Sequence, residues 1–358
     1  MNVSGPKSPP LLKSPAGRPQ DEAVAAAATI PVRQSGFGQF CHRYALLFAW
    51  AVTIAIFGVV EPDSFLQIQN FTSIFNSQAV LVVLTFSLVI TLTASEYDLS
   101  AASVLSLSAM LVAVLNAQLH VAIGWAILAA FAAGILVGMI NGVLVVVVGI
   151  ESIIATLGMG SLISGITLWI SHSNLISGIS NTLVTYVIVP QFFGISLGFV
   201  YAVAIAFALW YFLTYTPLGR QLLFVGRGRR VARLSGLAVG RLRFGAMVAG
   251  SVLAAVAGVL YAGTSASADP NSGDSFMLPA FAAAFLGSTS IVPGRFNAWG
   301  SFAAVYFLVT GIYGLSLMGI QVFIQNLFYG GALIIAVALS ILVRRAETRE
   351  PDIAKEGN

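Results

Sequence analysis

Ten residues, Thr91-Leu-Thr-Ala-Ser-Glu-Tyr-Asp-Leu-Ser100, place two carboxylates and several hydroxyls between long apolar stretches. Ionisable groups at membrane depth are costly to desolvate, and those that are kept usually face a cavity or a route. Two readings of Glu96 and Asp98 stand at this point. They mark a break in a helix lining a translocation pathway, or they sit in a tight turn with Asp98 or Ser100 capping the next helix. A second stretch, Thr216–Arg243, carries seven arginines spaced among glycines. It reads as an anchor on anionic lipid headgroups or as an amphipathic segment lying against a cytoplasmic partner. A third, Ala266–Arg295, opens on Asp269-Pro-Asn-Ser-Gly273, a strong turn signal. The helix that follows is rich in small residues and too brief to cross a bilayer comfortably, and short helices of this kind often form the pathway of a transporter.

Other chemistry is missing from the sequence. There is no G-x-x-x-x-G-K-[ST] loop for ATP, and neither H-E-x-x-H nor G-x-S-x-G occurs. The three histidines, His42, His120 and His172, are scattered and are not read as ligands. Cys41 is alone, which removes an internal disulfide and a cysteine metal site. No catalytic residue, cofactor or metal is expected.

The elements that position these segments follow from the charge pattern. Of 358 residues only 30 are charged, 17 basic and 13 acidic, while 58% are apolar. A soluble domain of this size carries roughly 90 charges, so a soluble enzyme, a nucleic-acid-binding module and a disordered chain are excluded. Residues 44–343 hold 15 of the 30 charges, and the segment 344–358 alone holds 8. Uncharged intervals predict spans at 44–60, near 71–93, two within 99–150 turning at 116–120, near 153–170, near 199–215, 244–268, a short one at 275–294, and two within 296–343 turning near 314–319. This is an all-α polytopic membrane protein of about ten helices. With both termini cytoplasmic, the seven clustered arginines, Arg295, Arg344 and Arg345 all fall inside, as the positive-inside rule requires.

Residues 1–43, with six prolines, read as a disordered cytoplasmic tail. Residues 44–343 form the transmembrane domain with its cytoplasmic loop at about 216–243, and 344–358 a second cytoplasmic tail. Gly134, Gly138 and Gly142 recur every four residues on one helical face, which permits close approach of a neighbouring helix. Packing inside one subunit is the simpler reading, a seam between subunits the other.

The order of these segments resembles the membrane permease of ribose-type ATP-binding-cassette sugar importers. Thr93-Ala-Ser-Glu-Tyr-Asp-Leu-Ser-Ala-Ala-Ser103 looks like that family's segment ending Asp-Leu-Ser-x-Gly-Ser. Asn141-Gly142 with Ile153-Ile-Ala-Thr-Leu-Gly-Met159 looks like its Asn-Gly … Phe-Ile-x-Thr-Leu-Gly-Met stretch. Thr216-x-x-Gly-Arg220 through Ala232-Arg-Leu-Ser-Gly-Leu237 is similar to its cytoplasmic loop. Ala282-Ala-Ala-Phe-Leu-Gly-Ser-Thr-Ser290 through Gly294-Arg295 is similar to its Ala-Ala-x-x-Leu-Gly-Gly-Thr-Ser … Gly-Arg signature.

The resemblance implies a bacterial inner-membrane protein that does not itself hydrolyse ATP. Its implied partners are a cytoplasmic ATP-binding subunit, a periplasmic substrate-binding protein, a second permease subunit, expected to be identical, and the lipid bilayer, with no nucleic acid. It implies transport of a monosaccharide or related polyol. Pathway candidates are Glu96, Asp98, Ser100, Asn141 and Thr156. Candidates for contact with the ATPase are Arg220, Gly226, Arg229, Arg233, Ser235 and Gly236. The chain departs from the pattern at Ala94-Ser95-Glu96, at Ala102, at Glu151-Ser152 and at Met277-Leu278-Pro279. Two other readings remain open: an ion-coupled secondary transporter using Glu96 and Asp98, and a permease for branched-chain amino acids.

Overall fold

A computed structural model describes residues 36–188, 190–192, 194–320 and 323–353. The expected N-terminal tail therefore lies outside the described residues up to residue 35, as do residues 354–358 of the second tail. The helices are α1 (Gly36–Val60), α2 (Pro62–Phe65), α3 (Ile68–Ser77), α4 (Ala79–Thr93), α5 (Ala101–Ala113), α6 (Ile123–Gly142), α7 (Ser152–Ile170), α8 (Asn181–Ile188), α9 (Leu197–Tyr215), α10 (Pro217–Arg227), α11 (Arg229–Leu234), α12 (Val239–Ser265), α13 (Asp274–Gly287), α14 (Ala298–Leu317) and α15 (Phe323–Ile353). π-Helical turns extend α5 over Val114–Gln118 and α6 over Val143–Val148. Among the described residues eight helices are long and apolar enough to cross a membrane. The bent pair α3 and α4 makes a ninth, and α13 is a shorter apolar helix. The protein is an all-α polytopic membrane protein.

Four boundaries differ from the sequence expectation. α1 begins at Gly36, so residues 36–43 are helical, ahead of the apolar span that begins at Arg43. The span expected near 71–93 is two helices bent by 42° at Gln78. α12 starts at Val239, which shortens the arginine loop to residues 216–238. Residues 344–353 continue α15 as helix.

α4 is buried at all fifteen of its positions. A helix buried on every side, its Thr85, Ser87, Thr91 and Thr93 included, lies at the centre of the bundle. α12 runs beside it, with Gly250 against Thr91 and the Ser87 carbonyl. The glycine stripe of α6 lies on α12 of the same subunit. A methyl at Gly134 would stand 2.7 Å from Ala255 Cβ, and one at Gly138 would stand 2.7 Å from Val248 Cα. Such backbone approach is the usual substitute for hydrophobic driving force between membrane helices.

One end of the bundle gathers the turns 94–100, 149–151, 216–238 and 288–297. The opposite end is tied by a two-residue antiparallel pairing of β1 (Ile176–Ser177) with β4 (Ser267–Ala268). A second small pairing joins β2 (Pro190–Phe192) to β3 (Ile195–Ser196). Asn116 Oδ1 at that end accepts from the Ser180 N–H at 2.7 Å.

The brevity of α13 has a steric origin. The Gly273 N–H donates to Ser106 Oγ at 2.8 Å, and any side chain at 273 would collide with the Ala102 carbonyl. The helix thus starts alongside the first turns of α5, inside the bundle. Its fourteen residues then rise about 21 Å, against a hydrocarbon core of about 30 Å.

Candidate functional site

The turn 94–100 between α4 and α5 is the most densely bonded polar feature at the arginine-loop end. Polar backbone leaving a buried helix must find partners inside the protein, and most of this turn does so. Ser95 adopts φ 57°, the left-handed conformation that reverses the chain. Its Oγ donates to the Gly226 carbonyl at 2.8 Å, and its own carbonyl accepts from Arg229 Nη2 at 2.7 Å. The Tyr97 N–H donates to Ser152 Oγ at 3.1 Å and the Leu99 N–H to Thr156 Oγ at 3.0 Å. The Thr156 hydroxyl in turn donates to the Ser152 carbonyl at 2.7 Å, with the Tyr97 carbonyl at 3.2 Å. Ser152 and Thr156 are one helical turn apart on α7, so a single helix face serves both amides.

Deeper in, a chain of three side chains closes the turn. Asn141 Nδ2 on α6 donates to Ser100 Oγ at 2.8 Å, and Ser100 Oγ donates to Asp98 Oδ1 at 2.6 Å. The Ser100 N–H also reaches Asp98 Oδ1, at 3.0 Å. Asp98 Oδ2 and Asn141 Oδ1 have no hydrogen-bond partner among the described residues. Burial pushes the Asp98 carboxyl above its ordinary value, while hydrogen bonds from Ser100 and Ala101 pull it the other way.

Glu96 faces the opposite direction. Its carboxylate is 1% exposed and pairs with two arginines, Arg229 at 2.8 Å and Arg243 through Nε. The structure therefore brings Glu96, Asp98, Ser100, Asn141 and Thr156 together, all of them buried. They form a bonded frame. A cavity of ≈ 110 Å³ at this end is lined by Ser95, Tyr97, Phe285, Phe296 and Ser340 among others. The Tyr97 ring stacks on Phe285 of α13 with centroids 6.5 Å apart.

The six residues expected to contact an ATPase separate into three groups. Arg220, Arg233, Ser235 and Gly236 are exposed. Arg229 divides itself, 42% exposed with its guanidinium on Glu96. Gly226 is half-buried, and a methyl there would strike the Thr93 carbonyl oxygen. Beside the exposed arginines, Val231 and Leu234 are 58% and 82% exposed on α11. Ser95, Ser152 and Arg243 are not among the site candidates that the sequence offers. Ser152 and Thr156 at helical spacing were a readable signal, but nothing in the sequence ties Arg243 to Glu96.

The family model described as branched-chain amino acid transport system / permease component matches residues 70–338. The D-allose transport system permease protein AlsC of Escherichia coli K12 is 31% identical over 309 residues, covering 86% of this chain and 94% of that protein. The ribose import permease protein RbsC of Bacillus subtilis 168 is 32% identical over 187 residues, covering 52% of this chain and 58% of that one. The ribose import permease protein RbsC of Escherichia coli K12 is 30% identical over 195 residues, covering 52% and 60%. The chain thus spans nearly the whole allose permease and less than two thirds of either ribose permease. No solved structure matches it.

Proposed function

Since the chain belongs to the family of branched-chain amino acid transport system permease components, we propose that it is the permease subunit of an ATP-binding-cassette importer of a monosaccharide or related polyol. It is a transporter subunit of the bacterial inner membrane, crossing it several times. Hydrolysis of ATP belongs to a cytoplasmic partner, and delivery of cargo to a periplasmic binding protein. Two copies of the permease complete the route. The near full-length similarity to an allose permease favours a sugar over the amino-acid and ion-coupled readings.

Orientation follows from charge. The loop 216–238 and Arg295 mark the cytoplasmic end, where basic residues are retained. The single observation that carries the coupling role is the outer face of α11. Val231 and Leu234 stand exposed beside Arg230 and Arg233, an apolar ridge rimmed by cations that suits an acidic-edged cleft on an ATPase. Asp98, Ser100, Asn141 and Thr156 then act at the cytoplasmic end of the route by holding the turn 94–100 in place, next to the cavity lined by Tyr97 and Phe285.

The test is Arg233→Glu with Leu234→Asp, which leaves the Glu96 cluster untouched. Burying one apolar anchor and one cation at a docking face contributes about 2 kcal/mol or more. The expected result is loss of ATPase co-purification and of ATP-dependent D-allose and D-ribose uptake, at unchanged membrane level. Unchanged co-purification and uptake refute the docking face, and ATP-dependent leucine uptake in place of sugar uptake refutes the cargo class.

A further inference from the structure

Glu96 is an expensive residue to keep where it is. A carboxylate almost wholly removed from solvent costs several kcal/mol before any partner is counted. Three acidic side chains are described at this end of the bundle. Glu151 is exposed and Asp98 is engaged by Ser100, so among the described side chains Glu96 is the acid that meets the arginine loop. It does so from both sides of that loop, since Arg229 opens α11 and Arg243 lies in the first turns of α12. One carboxylate oxygen thus fastens the outer helix of the loop to the base of the central one.

The contacts around this pair run in a continuous line. Gly226, at the end of α10, sits against the Thr93 carbonyl, and Ser95 holds the Gly226 carbonyl. Arg229 grips both the Ser95 carbonyl and Glu96. The next residues of the turn hold α7 through Ser152 and Thr156, α6 through Asn141, and α13 through the Tyr97–Phe285 stack. A displacement of α11 has no slack segment in which to be absorbed before it reaches these helices. Chains of packed and hydrogen-bonded groups of this kind can carry energetic coupling between distant sites.

We propose that Glu96 is a positioning residue for coupled transport, an ionic clasp with Arg229 and Arg243 that passes movement of the docking helix to the turn 94–100. It touches neither cargo nor ATPase. Its service is to make the loop and the central helices move as one piece. The proposal rests on the importer reading, and its test separates the two.

The test uses the complete importer, permease with its ATPase and binding protein, reconstituted in vesicles with radiolabelled D-allose and D-ribose. Glu96→Gln is expected to co-purify with the ATPase and to keep basal hydrolysis. Stimulation of hydrolysis by loaded binding protein, and uptake with it, fall about tenfold, the scale of a typical coupling free energy. The sugar concentration for half-maximal uptake stays the same. Glu96→Arg with Arg243→Glu, which keeps one acid and two arginines in the cluster, restores stimulation to at least about a third of wild type. Arg243→Lys, which keeps the charge and loses the Nε donor, serves as a second variant if Glu96→Gln is not recovered in the membrane. Intact stimulation with a raised half-maximal concentration overturns the proposal in favour of cargo contact, and wild-type uptake or failure of the swap overturns it outright. Absence of ATP-dependent uptake in the wild-type vesicles is instead a failure of the importer reading.

Discussion

Ser100→Ala isolates the chain Asn141–Ser100–Asp98 and allows its worth to be worked out. The Ser100 hydroxyl donates to Asp98 at 2.6 Å and accepts from Asn141 at 2.8 Å, with all three residues fully buried. Removing it deletes a hydrogen bond worth about 1 kcal/mol and strands the Asn141 amide, at a further cost of about 2 kcal/mol for a buried donor without a partner. The expected loss is about 3 kcal/mol. Asp98 keeps the Ser100 N–H, so its desolvation cost is not added in full. Asn141→Ala loses the same bond and leaves a small void, for about 2 kcal/mol. In the double variant no donor is stranded, so the two losses overlap and the total is about 3 kcal/mol rather than about 5.

The assay is reversible unfolding of the purified subunit in lipid bicelles, carried out on the two single variants and the double. Hydrogen bonds between membrane helices average about 0.6 kcal/mol in such cycles, because the unfolded chain in lipid finds other partners. A coupling of about 1–2 kcal/mol marks this chain as a water-free network whose members have no alternatives. Additivity within about 0.5 kcal/mol refutes the reasoning. It would mean that Asn141 finds another acceptor once Ser100 is gone, and that the turn is not held through α6.

Two further substitutions probe neighbouring supports. Thr156→Val leaves the Leu99 N–H without its acceptor and is expected to cost about 1–3 kcal/mol in the same assay, with Thr156→Ser restoring most of it; a loss in Thr156→Ser with none in Thr156→Val would assign the role to the threonine methyl instead. Gly138→Ala forces a methyl to 2.7 Å from Val248 Cα and 3.0 Å from Ser251 Cβ, and overpacking of this kind costs about 1–3 kcal/mol. That loss is expected in the stability of a single subunit with unchanged subunit stoichiometry by cross-linking; loss of the dimer at unchanged subunit stability would place the stripe between subunits.

How far the sequence leads depends on whether the determining interaction is local. The apolar runs are local, so the order of the spans, the short helix after Asp269-Pro-Asn-Ser-Gly273 and the arginine loop are legible from residue types alone. Gly134, Gly138 and Gly142 announce a close helix contact but not its partner, because α12 arrives from more than a hundred residues away. The bend at Gln78 is illegible for a related reason. No proline or glycine marks it; α3 is more polar than α4, but the direction of the bend depends on α3 packing beside β3 and the aromatic cluster of Phe75, Phe199 and Tyr306. Glu96 shows the limit most sharply. Its local sequence allows a pathway carboxylate and a turn residue alike, and only the arrival of Arg229 and Arg243, 133 and 147 residues later, assigns its charge. The two carboxylates of one short motif thus face opposite surroundings, Asp98 an uncharged network inside the bundle and Glu96 the cations Arg229 and Arg243. A turn built this way joins the packed helices of the bundle to the arginine loop, and the alternation of facing along 96, 97 and 98 is what lets one strand of backbone serve both.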